Sequence, residues 1–367
     1  MSQLQLSKRQ YKNTRIVEQN LSAANLSEGQ VLVKIDKFAL TANNVTYAVV
    51  GEQIGYWQFF PPVLKSDAKA DEWGVLPVWG FADVVASEHD AVPVGERLFG
   101  YFPPATHLVM SPGKLSEASW IDVSEHRSKL PMGYNIYRRV EHEPGYSRDS
   151  EDERMLLYPL HITAFALYDY FQSNEWFGAT QIVMLSASSK TSTGLAYGIA
   201  NDAKSPKQIA LTSKDNEVMV KGLKVYDQTL SYDEIQQIDN SLPTLIVDMS
   251  GNGQILSELH KHLGENMRFC SNVGATHWHD MKAGPDFIRD RSEMFFAPSQ
   301  IQKRLKDWGQ QGFEQKSRDY INHSIGKTRA WLKMTDLNGL EGMEAVFKDL
   351  CDGKVPADLG LIVRMPS

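Results

Sequence analysis

The sequence predicts an α/β protein in which a part built of short β-strands precedes a doubly wound parallel sheet. Three observations carry this. From Gln181 onward, short apolar runs alternate with amphipathic stretches over roughly 120 residues, the rhythm of strand and helix by turns. Earlier, short strands are broken at close intervals by Gly and Pro, among them Gly80, Gly95, Gly100, Pro103 and Pro104, which suits a small barrel or sandwich. Third, residues 181–201, QIVMLSASSKTSTGLAYGIAN, join a wholly apolar strand to a small-residue helix through a polar turn.

Taken in order, residues 30–35 (QVLVKI) alternate apolar with polar and read as a strand with one wet face. Thr41-Ala42-Asn43-Asn44 follows as a polar turn. Tyr47, Gly51, Gly55, Tyr56, Trp57, Phe59, Phe60, Pro61 and Pro62 form an aromatic loop, which either packs on itself or lines a pocket for a flat ligand. LPVWGFADVVAS and ERLFGYFPPATHLVMSP continue the strands, while residues 111–153 show no period and read as connection, lid or interface arm. From Met155, MLLYPLHITAFALYDYF reads as one or two buried helices. QIALTS (208–213), TLIVDMSG (244–251) and RFCSNVGATH then read as strands and LKVYDQTL as strand-like. Residues 216–223, SYDEIQQID and ILSELHKHLG read as helices. Ser299 reads as the cap of a helix with Ile301, Leu305 and Trp308 at helical spacing, and the tail as a helix through Leu350 followed by the strand LGLIVRM.

Composition sets limits on function. A length of 367 residues suits two domains, or one inserted in another, and 42% apolar with 23% charged residues is ordinary for a soluble globular chain. The net charge of −7 argues against nucleic-acid and membrane partners, although a small basic pocket survives it. No apolar run is long enough to span a bilayer, and MSQLQLSKRQ has no apolar signal core, so the expectation is a cytoplasmic protein. Cys270 and Cys351 make no zinc framework, and the pairs His260/His262 and His277/His279 lack further ligands nearby in sequence.

The strand–turn–helix at 181–201 is the unit that sets backbone N–H groups and a positive helix end against a phosphate. Its glycine fingerprint is incomplete, since only Gly194 can close it. Hydroxyls stand in place of the others, on Ser188, Ser189, Thr191, Ser192 and Thr193, with one lysine, Lys190. An ordinary buried strand–helix corner is the alternative. Lys190-Thr191 superficially matches the end of a Walker A loop, but the fixed glycines of an ATP site are missing.

The order of these pieces resembles the medium-chain dehydrogenase/reductase superfamily in its quinone-reductase-like, zinc-free branch. EGQVLVKIDKFALTANN is similar to that superfamily's opening strand and turn, GERLFGYFPPATHLVMSP to its later strands, and PLHITAFALYDY to the helix before the nucleotide strand. IVMLSASSKTSTGLA stands where the superfamily has its glycine turn. LTANNVTYAVVG, GYWQFFP, LPVWGFADVVAS and SASSKT resemble more closely an uncharacterised bacterial domain-of-unknown-function family within it. The resemblance implies a GroES-like β domain with an inserted or adjoining Rossmann domain. The divisions expected are 1–154 for the β domain, 155–290 for the nucleotide domain, and 291–367 for a helical segment and the return to the β domain.

It also implies a cofactor. An NAD site wants an acidic residue at the end of the second strand for the ribose 2′-hydroxyl. This chain has Leu211, Thr212, Ser213 and Lys214 there, which favours NADP, unless Thr212 and Ser213 only cap the next helix. By resemblance Thr163 faces the nicotinamide, Val273 and Gly274 approach its carboxamide, and Ser250 and Gly251 border the cofactor; for Thr163 a hydroxyl satisfied within its own helix is the alternative. Zinc-dependent members need a cysteine where this chain has Thr41 to Asn44, and a Gly-His-Glu near Trp79-Gly80-Phe81, so no zinc is expected. Without a metal, Tyr47, Tyr56 and Asn43 are the candidates for polarising a carbonyl, in a cleft lined by Tyr47, Tyr56 and Trp57. The reading is an NADP(H)-dependent, zinc-free reductase of an enone, quinone or related carbonyl, with a small-molecule substrate and a homodimeric state. The alternatives are a noncatalytic binding protein that kept the fold, and a turn that holds another phosphorylated or acidic ligand.

Overall fold

In the computed structural model, residues 1–49, 51–52, 55–63, 72–273 and 284–366 are described. The chain divides into a β unit, residues 1–156 with 333–367, and a parallel-sheet unit, residues 157–332.

The β unit begins with β1 (Ser2–Ser7), β2 (Thr14–Glu18) and β3 (Val31–Leu40), then helix α1 (Ala42–Val49). Strands β4 (Trp73–Gly74), β5 (Val78–Ser87), β6 (Arg97–Phe102) and β7 (His107–Met110) follow. Three short ones, β8 (Pro112–Gly113), β9 (Ser119–Asp122) and β10 (Ile136–Arg139), complete its first part. β3 is the hub, because β5, β7 and a strand from the C-terminal segment all pair with it antiparallel. Its alternate residues Val31, Val33 and Ile35 are buried in one core with Leu98, Tyr101 and Met110. Extended backbone with branched side chains on a packed face is what β-propensity rewards.

Helix α2 (Glu151–Ser173) starts on three acids, Glu151, Asp152 and Glu153, which suit the positive end of a helix. Glu151 is buried and would be expensive alone. Arg97 meets it at 2.6 and 2.7 Å, and also reaches Asp36 at 2.6 Å and Asp83 at 2.9 Å. Lys37 joins Asp152 at 2.6 Å. Such a buried network is worth keeping whole, since removing one partner leaves an uncompensated charge.

In the parallel-sheet unit come β11 (Gln181–Leu185), α3 (Lys190–Ala200), β12 (Lys207–Thr212), α4 (Glu217–Gly222), β13 (Gln228–Ser231) and β14 (Thr244–Asp248). Next are α5 (Gly253–Leu263), β15 (Met267–Asn272), β16 (Ser292–Met294) and the long α6 (Ala297–Thr328). The strand order is β13-β12-β11-β14-β15-β16, all parallel, so the order reverses between β11 and β14. The unbroken apolar text of β11 has a direct cause. Ile182 and Met184 pack with Ala164, Leu167 and Leu195 on one face, while Val183 and Leu185 pack with Leu256 and Leu259 on the other. The chain then returns to the β unit as β17 (Lys333–Asn338), α7 (Gly339–Cys351) and β18 (Leu359–Arg364), where β18 joins β3.

Several expectations need correction. Asn43 and Asn44 lie in α1, not in a turn, because the Asn44 side chain reaches back to the Thr41 N–H at 2.7 Å and stabilises the helix start. Residues 111–153 contain β9 and β10, which extend the large sheet. LKVYDQTL is strand only at its end, in β13, and Lys333–Asn338 is a strand that periodicity missed, half exposed and parallel to β18. Ser299 sits inside α6, which starts at Ala297. That helix packs on α3 and belongs with the parallel sheet, so the expected division at 290 moves to 332.

Candidate functional site

The reversal of strand order opens the sheet at the carboxyl ends of β11 and β14, the place where such sheets take ligands. The turn after β11 is pinned from below. Ser186 holds φ at 55°, the left-handed conformation for which a glycine is usual. Its N–H donates to the Tyr232 hydroxyl at 3.0 Å. The Ala187 N–H donates to the Leu211 carbonyl at 3.0 Å, and the Ala187 carbonyl accepts from Tyr226 at 2.9 Å. Ser189 is the N-cap of α3: its Oγ accepts from the Ser192 N–H at 3.2 Å and donates to Ser192 Oγ at 2.9 Å. Thr193 Oγ1 donates to the Lys190 carbonyl at 3.0 Å. Three of the expected hydroxyls thus serve the first turn of α3 itself. Ser188 is buried, and Lys190 and Thr191 are half-buried.

Gly194 is there for close approach. The His161 ring of α2 fills the space its side chain would take, and Tyr320 of α6 donates to the Gly194 carbonyl at 2.9 Å. His161 is fully buried, with Nδ1 2.7 Å from Ser324 Oγ. Burial pulls its pKa down to about 4, against the opposing Lys190 carbonyl, so the ring is neutral at neutral pH. His161, Tyr226, Tyr232 and Tyr320 were all missed by the reading of the sequence. Their partners lie 30 to 160 residues away in the chain, and no local spacing marks them.

At the end of β12, Thr212 is buried and its Oγ1 has no hydrogen-bond partner. Ser213 precedes a short 3₁₀ turn and accepts from the Asn216 amide at 3.1 Å, and Lys214 is exposed. At the end of β14, Asp248 Oδ1 accepts from the Ser250 N–H at 2.8 Å, the Ser250 hydroxyl at 2.6 Å and the Gly251 N–H at 3.3 Å. Burial raises the Asp248 pKa against these bonds, and its Oδ2 is unpartnered. The Ser250 hydroxyl is therefore committed to Asp248. Thr163 Oγ1 donates to the Pro159 carbonyl at 3.2 Å, so its hydroxyl is satisfied inside α2. Val273 donates its N–H to the Asp248 carbonyl at 2.8 Å; Gly274, His277 and His279 lie outside the described residues.

In the β unit, Tyr47 and Tyr56 are only 6% and 8% exposed, with ring centroids 4.3 Å apart. The Asn43 amide donates to the Tyr47 hydroxyl at 2.7 Å, and the Tyr56 and Tyr134 hydroxyls are 3.1 Å apart. Burial pushes both phenols well above their ordinary pKa. Trp57 is buried in the same core, and its ring fills the space over Gly51 and Gly74, where any side chain would collide with it. Tyr101 packs on Tyr47 with ring centroids 6.1 Å apart, Tyr134 on Tyr56 at 5.9 Å, and Trp79 lies against Tyr101 and Tyr134 at 5.1 and 6.2 Å.

His260 accepts from the Ile288 N–H at 3.0 Å and stacks on Phe287, while His262 meets the Ile238 carbonyl at 2.8 Å. Among the described residues no three His, Cys, Asp or Glu side chains gather into a metal site, and no helix is long and apolar enough to cross a membrane.

Residues 38–356 match the model of a family described as "Protein of unknown function (DUF2855)", and the chain belongs to that family. No curated protein matches the sequence. Among solved structures, CurA from Vibrio vulnificus in complex with NADPH is similar at TM-score 0.65 and 12% identity, over 100% of both chains. The yhdH oxidoreductase from Salmonella enterica in complex with NADP is similar at TM-score 0.55 and 14% identity, over 100% of both chains. A mutant form of enoyl thioester reductase from Candida tropicalis is similar at TM-score 0.56 and 10% identity, over 99% of this chain and 100% of that one. These likenesses show the fold: a GroES-like β domain with a Rossmann domain, as in the medium-chain dehydrogenase/reductase superfamily.

Proposed function

We propose that this member of the DUF2855 family is an NADP(H)-dependent, zinc-free reductase acting on an enone, quinone or related carbonyl. The observation that carries it is the end of β12, where a buried, unpartnered Thr212 hydroxyl is followed by Ser213 and an exposed Lys214. An acidic residue at this place would select the plain ribose of NAD, whereas hydroxyls and a lysine suit a 2′-phosphate. The turn fits the rest of the cofactor. The first turn of α3 offers N–H groups to a pyrophosphate, with Ser188, Ser189, Lys190, Thr191, Ser192, Thr193 and Gly194 around them. Thr163, Ser250, Gly251 and Val273 would border the nicotinamide half. Two of the similar structures are complexes with NADPH and with NADP, which supports the same cofactor here.

Bound NADPH supplies the two electrons of such a reduction. The protein's own part is to hold the phosphates and to orient the substrate. Asn43, Tyr47 and Tyr56 would polarise the carbonyl, Tyr47 being fixed by the Asn43 amide. The high pKa of both phenols makes them hydrogen-bond donors more than proton donors, so an acceptor that takes its proton from solvent suits them best. The same burial favours the second reading, a noncatalytic protein that binds the nucleotide.

Titration with NADPH and NADH, followed by cofactor fluorescence, tests the proposal. Saturable binding tighter for NADPH is expected, with Lys214→Ala weakening NADPH by about tenfold and NADH little. No saturable change up to millimolar NADPH would sink it. Binding without oxidation across a panel of quinones and enones would select the noncatalytic reading. The expected homodimer is checked by light scattering against a monomer mass of 41.4 kDa.

A further inference from the structure

A cluster in the β unit has a loose end. Tyr101 is fully buried near the end of β6, and its hydroxyl has no hydrogen-bond partner within bonding geometry. A buried hydroxyl left unpaired is costly, and native structures keep few of them without a reason. Around it stand Tyr47 at 6.1 Å between ring centroids, Tyr134 at 4.9 Å, Trp79 at 5.1 Å and Phe59 at 5.3 Å. Tyr134, Trp79 and Asn43 are half-buried, so the cluster is not wholly enclosed.

The chemistry of this group is one-sided. Four phenols, an indole and a carboxamide meet here, and none carries a charge. Burial, then the nearness of the Tyr47, Tyr56 and Tyr134 hydroxyls, and last an approach to the Tyr47 hydroxyl too poorly placed for a full bond, raise the Tyr101 pKa, so its proton stays on. Arg127 lies over the Phe59 and Phe60 rings, but it is already paired with Asp122 at 3.3 Å and bonded to Asn135 Oδ1 at 2.7 Å. The cluster therefore favours a neutral ligand over an anion, a flat one over a branched one, and one that brings an oxygen acceptor.

We propose that the aromatic cluster of Tyr101, Tyr134, Tyr47 and Trp79 is a binding site for a small, neutral, flat ring ketone, with the Tyr101 hydroxyl donating to its carbonyl oxygen. Calling that ketone the substrate rests on the reductase reading; the binding site does not. No covalent step is implied.

The probe pair is 1-indanone and indane, which differ at the carbonyl, with 2-indanecarboxylate as the anionic control. Each is titrated into the full chain without cofactor, following tryptophan fluorescence. Saturable quenching is expected for 1-indanone, at least about fivefold tighter than for indane, and none for the carboxylate. Tyr101→Phe is expected to weaken 1-indanone by about fivefold and leave indane unchanged. Tyr134→Phe, at a half-buried position less critical for folding, should weaken it by about twofold to threefold. Melting curves establish that both variants are folded. Indane binding as tightly as 1-indanone, or both variants staying at wild-type affinity, overturns the proposal. The two ideas fail separately: indanone selectivity without NADPH binding rejects the reductase and keeps this site, and NADPH binding without indanone selectivity does the reverse.

Discussion

Gly194→Ala is a sharp test of how the turn after β11 is held. A Cβ at this position would meet His161 Cδ2 at 2.7 Å, Nε2 at 3.0 Å and Cγ at 3.2 Å, all inside the 3.4 Å where ordinary contact begins. The ring has little room to retreat, being fully buried and tied to Ser324 at 2.7 Å. Overpacking of this kind costs about 1–3 kcal/mol. The change also removes a glycine from a helix interior, which by itself is worth about 1 kcal/mol in the other direction. The net expectation is a loss of about 0–2 kcal/mol, or a fall in Tm of up to about 6 °C for a unit of this size. Gly326→Ala is the control. That glycine is exposed in α6 and has nothing within 4 Å of an added Cβ, so the same substitution should raise Tm by about 2–4 °C. Differential scanning calorimetry reads both. In the double variant with His161→Ala, the combined cost should fall below the sum of the single costs by about 1 kcal/mol. Equal shifts for the two glycines, or strict additivity with His161→Ala, would refute the packing argument.

Two further outcomes follow from the same unit. Ser186→Gly removes a side chain from a left-handed backbone, φ 55°, and should stabilise by about 0.5–1 kcal/mol in urea unfolding; a loss above about 1 kcal/mol would mean that the serine side chain holds the turn. His161 and His260 are both lowered to about 4, chiefly by burial, and so are neutral in the fold. Because an unfolded histidine titrates near ~6.5, the stability they protect is complete above that pH and is lost as pH falls towards about 4, at about 3 kcal/mol each. Urea midpoints at pH 7 and pH 4.5 check this, and His260→Leu should show the smaller drop between them.

The chain alone was enough to find the parallel sheet, since a strand buried on both faces must be apolar through its middle, and residues 182–185, 209–211 and 245–247 are. It also found the turn at 186–193, because small polar residues between such a strand and a small-residue helix have few other uses. Local pattern was weaker where pairing partners were distant. β9, β10 and β17 have no clean period because they are short or exposed, and only the strands beside them make them strands.

Within the candidate site the division is similar. Sequence determined the residue types at 186–194 and 212–214, on which the proposal of a phosphate site and of NADP rests. Tertiary structure decided what those residues are free to do. Ser189, Ser192 and Thr193 secure the start of α3, Ser250 is bound to Asp248, and Thr163 is satisfied in its helix, whereas Thr212 keeps an unpartnered hydroxyl. It also brought Tyr101 onto Tyr47 and Tyr134 onto Tyr56, and set His161 against Gly194. The physical reason is that a hydroxyl's or a ring's chemistry depends on who already occupies its hydrogen bonds and its faces. Those partners come from strands and helices far apart in the chain.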